Sequence, residues 1–112
     1  MKMIRAIIRL EKEEAVVEAL GKAGFPAMTK CDVTGRGRQR GIQVGNAFYE
    51  ELAKHQLLLV VDDEKVDEAV KVIVDASQTG HFGDGKIFVS PVDQVYTIRT
   101  GRREETLKTV ES

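Results

Sequence analysis

The residues best suited to chemistry are concentrated in Thr79-Gly80-His81-Phe82-Gly83-Asp84-Gly85-Lys86-Ile87-Phe88-Val89-Ser90-Pro91-Val92, where three glycines in seven residues run into a lysine and a β-rich segment. Gly83 and Gly85 flank an aspartate in a turn that needs positive φ or a close approach of backbone, and Gly80 reads as the cap of a preceding helix. Such a turn exposes successive N–H groups that suit an anion, and Lys86 adds a point charge matched to phosphate. The order is helix, loop, strand, the reverse of the Walker and dinucleotide fingerprints, whose glycines follow a strand and open a helix. On the glycines and the lysine alone, the stretch serves equally well as a plain reversal of the chain.

A second cluster, Gly35-Arg36-Gly37-Arg38-Gln39-Arg40-Gly41, opens a polar run that continues to about Ala53. This predicts a long exposed loop over about 37–53, and a loop of that length within a compact domain is usually functional or disordered. Its chemistry is that of an anion- and partner-contacting arm or of a solvated basic hairpin tip. The single cysteine, Cys31, excludes an internal disulfide and fits a reducing compartment. With only His55 and His81 beside it, the four ligands of a structural zinc site are lacking. His81 reads as a solvated tip, and Glu50 and Glu51 read as surface charges.

These clusters must be held by ordinary elements. Met3 to Leu10 alternates Ile4, Ala6 and Ile8 against Met3, Arg5, Ile7 and Arg9, which predicts a strand with one apolar and one mixed face. Glu11 to Ala23 carries acids first and Val16, Val17, Leu20 and Ala23 at helical spacing, and Gly24-Phe25-Pro26 stops it. Ala27 to Gly35 is a weaker strand. Lys54 to Val61 ends in a continuous apolar run that implies burial on both faces. Asp62-Asp63-Glu64 opens a second helix with Val66, Ala69, Val70, Ile73 and Ser77 on one stripe. Lys86 to Val89 and Gln94 to Arg99 then read as two short strands, and residues 101–112 as a charged tail.

The order β-α-β-loop-β-α-β-β predicts an α+β fold, a ferredoxin-like βαββαβ sandwich with an added C-terminal strand, in one domain over 1–112. Two helices cover one face of such a sheet, so the other face needs a partner, and identical subunits are the default supplier. Apolar residues at 42%, charged residues at 31% and a net charge of −1 describe a globular chain with no global pull toward nucleic acid. No run approaches the roughly 18 apolar residues that span a bilayer, which predicts a cytoplasmic protein without membrane insertion.

Together, the Gly-Arg-Gly-Arg-Gln-Arg-Gly entry to the loop, the block from Thr79 to Val92, and Ile98-Arg99-Thr100-Gly101 resemble the PII signal-transduction proteins across essentially the whole chain. The resemblance implies a homotrimer that binds ATP or ADP in the clefts between subunits and, with MgATP, 2-oxoglutarate. It places phosphates against the Gly83-Asp84-Gly85 backbone, Lys86 and Arg99, and against Gly35, Gly37 and Arg38. Ile7 and Thr29 would line the base and sugar end, Gln39 would help hold Mg²⁺ and the 2-oxo acid, and Lys54 would pair with the acid's distal carboxylate. The ligands would then bias the long loop between arrangements, and the protein would be a regulator rather than an enzyme.

The wording Gly-Arg-Gln-Arg-Gly-Ile-Gln-Val-Gly and the shortened loop are similar to the nitrogenase-associated NifI branch, specifically its first paralogue. Members of that branch work with a second NifI paralogue, and they bind and inhibit nitrogenase component 1 when ammonium is plentiful. Three departures from common PII proteins stand out: Thr97 occupies the place of a second C-terminal arginine, Leu10 that of a proline, and Tyr49 does not align with the modified tyrosine. The alternatives are a general PII regulator of an ammonium transporter or of glutamine synthetase and, more distantly, an RRM-type RNA-binding domain.

Overall fold

A computed structural model describes residues 1–36 and 51–105. Strand β1 (Lys2–Arg9) leads through a 3₁₀ turn (Leu10–Lys12) into helix α1 (Glu13–Lys22), followed by β2 (Thr29–Gly35). Strand β3 (Leu52–Val61), a second 3₁₀ turn (Asp63–Lys65) and α2 (Val66–Ser77) precede β4 (Gly85–Pro91). The sheet order is β2-β3-β1-β4, with every neighbouring pair antiparallel. This is the expected ferredoxin-like α+β arrangement, in which each helix links two parallel strands across a third. Of the expected loop, 37–50 lies outside the described residues, whereas Leu52 and Ala53 already belong to β3.

Period-two alternation decides which face each side chain takes. Ile4, Ala6 and Ile8 of β1 and Leu57, Leu59 and Val61 of β3 are buried beneath the helices. Val16 and Leu20 of α1 and Ala69 and Ile73 of α2 complete the core from above. Each fully buried aliphatic of this set contributes about 1.5–3 kcal/mol relative to exposure. The register places Met3, Arg5, Ile7 and Arg9 on the opposite face, beside Val60, Leu58, Gln56 and Lys54 of β3 and Ser90, Phe88 and Lys86 of β4. No described helix covers that face, and Phe88 is 52% exposed on it.

The end of α1 shows how closely local sequence is read out. Gly24 adopts φ 94°, its N–H donates to the Gly21 carbonyl at 3.2 Å, and the Phe25 N–H donates to the Leu20 carbonyl at 2.8 Å. That double closure is a Schellman motif, and the buried Phe25 joins Leu20 in the core as its hydrophobic partner. Helix α2 ends differently. Gln78 is already extended (φ −70°, ψ 130°) and donates to the Val74 carbonyl at 2.9 Å. Gly80, with φ 86°, therefore caps no helix and belongs to the loop that follows.

The C-terminal strand also differs from expectation. The segment Gln94 to Arg99 contributes only β5 (Tyr96–Thr97), which pairs with β6 (Arg102–Arg103) in a separate two-stranded ribbon. Gly101 (φ 68°) turns this hairpin, and its N–H donates to the Thr97 carbonyl at 2.8 Å. Tyr96 is 58% exposed and Ile98 98% exposed. Residues 106–112 of the expected tail lie outside the described residues.

Candidate functional site

The uncovered sheet face ends in a cleft of about 570 Å³ lined by Ile7, Gly35, Arg36, Leu52, Lys54 and the Gly-rich loop from His81 to Lys86, with Phe88 beyond. Four strands position it: the C-terminal ends of β1 and β2 and the N-terminal ends of β3 and β4 meet at the same edge. Gly83 and Gly85 have φ 97° and 108°, so both take the left-handed conformation that the sequence demands of them. Gly85 has a second constraint, because a Cβ there would sit 1.7 Å from the Ile7 carbonyl oxygen.

Asp84 is the organiser of the loop. Its carboxylate accepts hydrogen bonds from the Thr79 and Gly80 N–H groups, both at 2.8 Å, from the Thr79 hydroxyl, and from Arg9 Nε at 3.1 Å. The Thr79 hydroxyl and N–H, then the Gly80 N–H and Arg9, hold this carboxyl far below the usual carboxylate range despite partial burial. Asp84 thus shapes the turn from within, and its backbone is what the turn presents to the cleft.

A depressed carboxyl stabilises the loop above its unfolded value of about 3.9, and that support is lost as pH falls through the folded value. The protection factors of the Thr79 and Gly80 amides, with intrinsic exchange divided out, should therefore stay high down to about pH 4 and fall below it. Asp84→Asn should exchange fast at neutral pH and show no such acid step. A wild-type profile as flat as the variant's would remove Asp84 from this role.

Two cations tie the loop to the sheet. The Arg9 guanidinium, whose Nε holds Asp84, donates from Nη2 to the Phe82 carbonyl at 2.9 Å, and the Lys54 ammonium donates to the Gly83 carbonyl. Arg9 and Lys54 are direct cross-strand partners. Partial burial, followed by the Arg9 charge, lowers the Lys54 pKa below the ordinary lysine value. Lys86 is exposed on the same face opposite Ile7. Among the described residues, Arg36, Lys54 and Lys86 line a cleft whose lining carboxylate, Asp84, already has four donors, and this arrangement favours an anionic ligand.

Of the residues singled out from sequence, Ile7, Gly35, Lys54, Gly83, Asp84, Gly85 and Lys86 come together here. Thr29 opens onto the same sheet face opposite Leu58 but does not line the cleft. Arg99 lies in the turn of the β5–β6 hairpin and does not line the cleft of its own chain. Gly37, Arg38 and Gln39 lie outside the described residues. Arg9 was not singled out, because an arginine on the mixed face of a strand looks solvated. Thr97 donates its hydroxyl to Glu104.

A family model described as nitrogen regulatory protein P-II matches residues 1–102. A Methanothermobacter marburgensis protein named "Nitrogen fixation nifHD region GlnB-like protein 1" is 56% identical over 107 residues, covering 96% of this chain and 100% of its own length. A Methanosarcina barkeri protein named "Nitrogen fixation nifHD1 region GlnB-like protein 1" is 52% identical over 102 residues, covering 91% and 97%. "Nitrogen regulatory protein P-II 2" of Methanothermobacter thermautotrophicus is 51% identical over 105 residues, covering 90% and 91%. No described helix is long and apolar enough to cross a membrane.

Proposed function

Since the chain belongs to the nitrogen regulatory protein P-II family, we propose that it senses ATP or ADP together with 2-oxoglutarate and controls nitrogenase by direct binding, inhibiting it in response to ammonium. The observation that carries the ligand reading is the cleft lined by Arg36, Lys54 and Lys86 around a glycine-turned loop whose carboxylate is already satisfied. Phosphates would lie against the Gly83–Gly85 backbone and Lys86, and a carboxylate would be drawn to Lys54. Asp84 has no lone pair to spare for a metal, so Mg²⁺ would be held by the nucleotide's phosphates, the 2-oxo acid and the Gln39 amide oxygen. The same commitment leaves Asp84 unable to serve as the base that phosphoryl transfer needs, which favours sensing over catalysis.

The bare sheet face supports a homotrimer. Leu58, Val60 and Phe88 on that face need cover, and Arg99, which does not line its own cleft, would serve a neighbouring subunit's. Relatives named for the nifHD region support a nitrogen-fixation setting; within it the target would be nitrogenase component 1, with a second NifI paralogue as co-partner, in the cytoplasm.

Calorimetry on the assembled protein tests the reading. Light scattering should give three times the chain mass, and 2-oxoglutarate should bind only when MgATP is present. Equal binding of 2-oxoglutarate without nucleotide, or a monomer at micromolar concentration, would sink it. Capture of an ammonium transporter in place of nitrogenase would transfer the protein to the general regulators of the family, a reading favoured by the relative named P-II 2.

A further inference from the structure

We propose that His55 is a pH-responsive clasp between the helix layer and the edge strand β2: its charged ring holds Glu13 of α1 and Asp32 of β2 together, and loss of one proton frees Asp32 and loosens the end of that strand. Neither the clasp nor its release depends on a nucleotide in the cleft. Period-two alternation carries the helix-facing stripe of β3 from Val61, Leu59 and Leu57 to His55, where the core gives way to the first turn of α1. There the side chain is only 21% exposed, and each ring nitrogen faces a different carboxylate: Nε2 lies 3.1 Å from Glu13 Oε2 and Nδ1 lies 2.9 Å from Asp32 Oδ1. A neutral imidazole has one N–H and one lone pair, so it serves one of these oxygens and turns a lone pair toward the other. Only the charged ring serves both.

The charges around the ring balance in that state alone. Lys30 on β2 places its ammonium 2.8 Å from the other Glu13 oxygen, so a charged ring gives two cations facing two carboxylates, and a neutral ring leaves Lys30 against both. Lys30 first, and after it the His55 charge, hold the Glu13 carboxyl below its ordinary value despite the water it loses. Lys54, next to His55 on β3, and Arg9, next to the Ile8 that pairs with His55 on β1, take the opposite face and are engaged with the Gly-rich loop. The 3₁₀ turn packed on this end of β3 carries Glu11 and Lys12, and Glu11 acts on Lys54. Solvent decides which contact survives loss of the proton. Glu13 is 24% exposed, whereas Asp32 is 89% exposed and is readily hydrated without a partner. The neutral ring therefore keeps its N–H on Nε2 for Glu13, and Asp32 turns to water. Lys30 still ties the start of β2 to α1, so the release is confined to residues 32–35, which run into Arg36 at the rim of the cleft.

Histidine gives up its charge between about pH 5 and 8, so the clasp is closed at the acid end of that range and opens as pH rises, opposite in sense to the loss of the Asp84 contacts in acid. In the full-length protein, protection factors of the hydrogen-bonded amides among 32–35, with intrinsic exchange divided out, should fall about threefold between about pH 6 and about pH 8, the scale of one cross-strand ion pair, with those of α2 unchanged. Nitrogen NMR of the ring should show both nitrogens protonated at the acid end and the remaining proton on Nε2 at the other. Asp32→Asn should flatten the exchange profile while the ring still titrates, because an amide can face either an N–H or a lone pair. His55→Gln should flatten it too, and the Asp32 variant, at a hydrated position, keeps the test open if His55→Gln does not fold. His81→Gln, which removes the other histidine, should leave the step in place. A flat wild-type profile, a step that survives Asp32→Asn, a step lost with His81, or a neutral ring protonated on Nδ1 would each overturn the proposal.

Discussion

Gly85→Ala is expected to lower stability by about 3 kcal/mol or more and to abolish ligand binding at the cleft. Two effects combine at this position. A φ of 108° is strained for any residue with a Cβ, which alone costs about 1–2 kcal/mol. The added Cβ also falls 1.7 Å from the oxygen and 2.8 Å from the carbon of the Ile7 carbonyl. That obstacle is backbone of the central strand β1, so relief requires β1 and β4 to part where they pair. For a chain of this size the melting temperature should fall by roughly 12 °C or more. Gly80→Ala provides the comparison: its φ is 86° but nothing lies within 4 Å of the new Cβ, so only the strain of about 1 kcal/mol is expected. Equal melting temperatures for the two variants would show that the close approach to Ile7 does not fix the loop.

Lys86→Ala should leave the fold almost untouched and weaken MgATP binding by about 1.5–3 kcal/mol, roughly 10- to 150-fold. The side chain is exposed on the open face, so its removal creates no cavity and should change stability by no more than about 0.5 kcal/mol. Its value lies in one charge-assisted contact to a phosphate, made beside a second ammonium, that of Lys54. Calorimetry separates the two quantities, because Kd changes while the unliganded melting temperature does not. An unaltered Kd would take Lys86 out of the site.

Much of this architecture is legible in the amino-acid order because local patterns carry it. The alternation of Ile4, Ala6 and Ile8 identifies the covered face of β1, and Ala69, Ile73 and Ser77 mark the inner stripe of α2. The demand for positive φ at Gly83 and Gly85 follows from their place around an aspartate. What local pattern does not carry is long-range pairing. Arg9 and Asp84 are 75 residues apart, and nothing around either one names the other. Gly80 reads as a helix cap for a different reason, its place after a helical stripe; α2 has already ended at an extended Gln78, and the Gly80 N–H is held by Asp84, four residues on. The stretch from Gln94 has the alternation of a longer strand, but alternation does not say whether a strand joins the main sheet or, as here, folds back on Arg102–Arg103.

That fold-back has one more consequence. A ladder of two residues per strand is too short to be stable by itself. Its order must come from surfaces that its own strands do not provide; if neighbouring subunits of the proposed trimer supply them, the hairpin should fray as the protein is diluted and set again as it is concentrated.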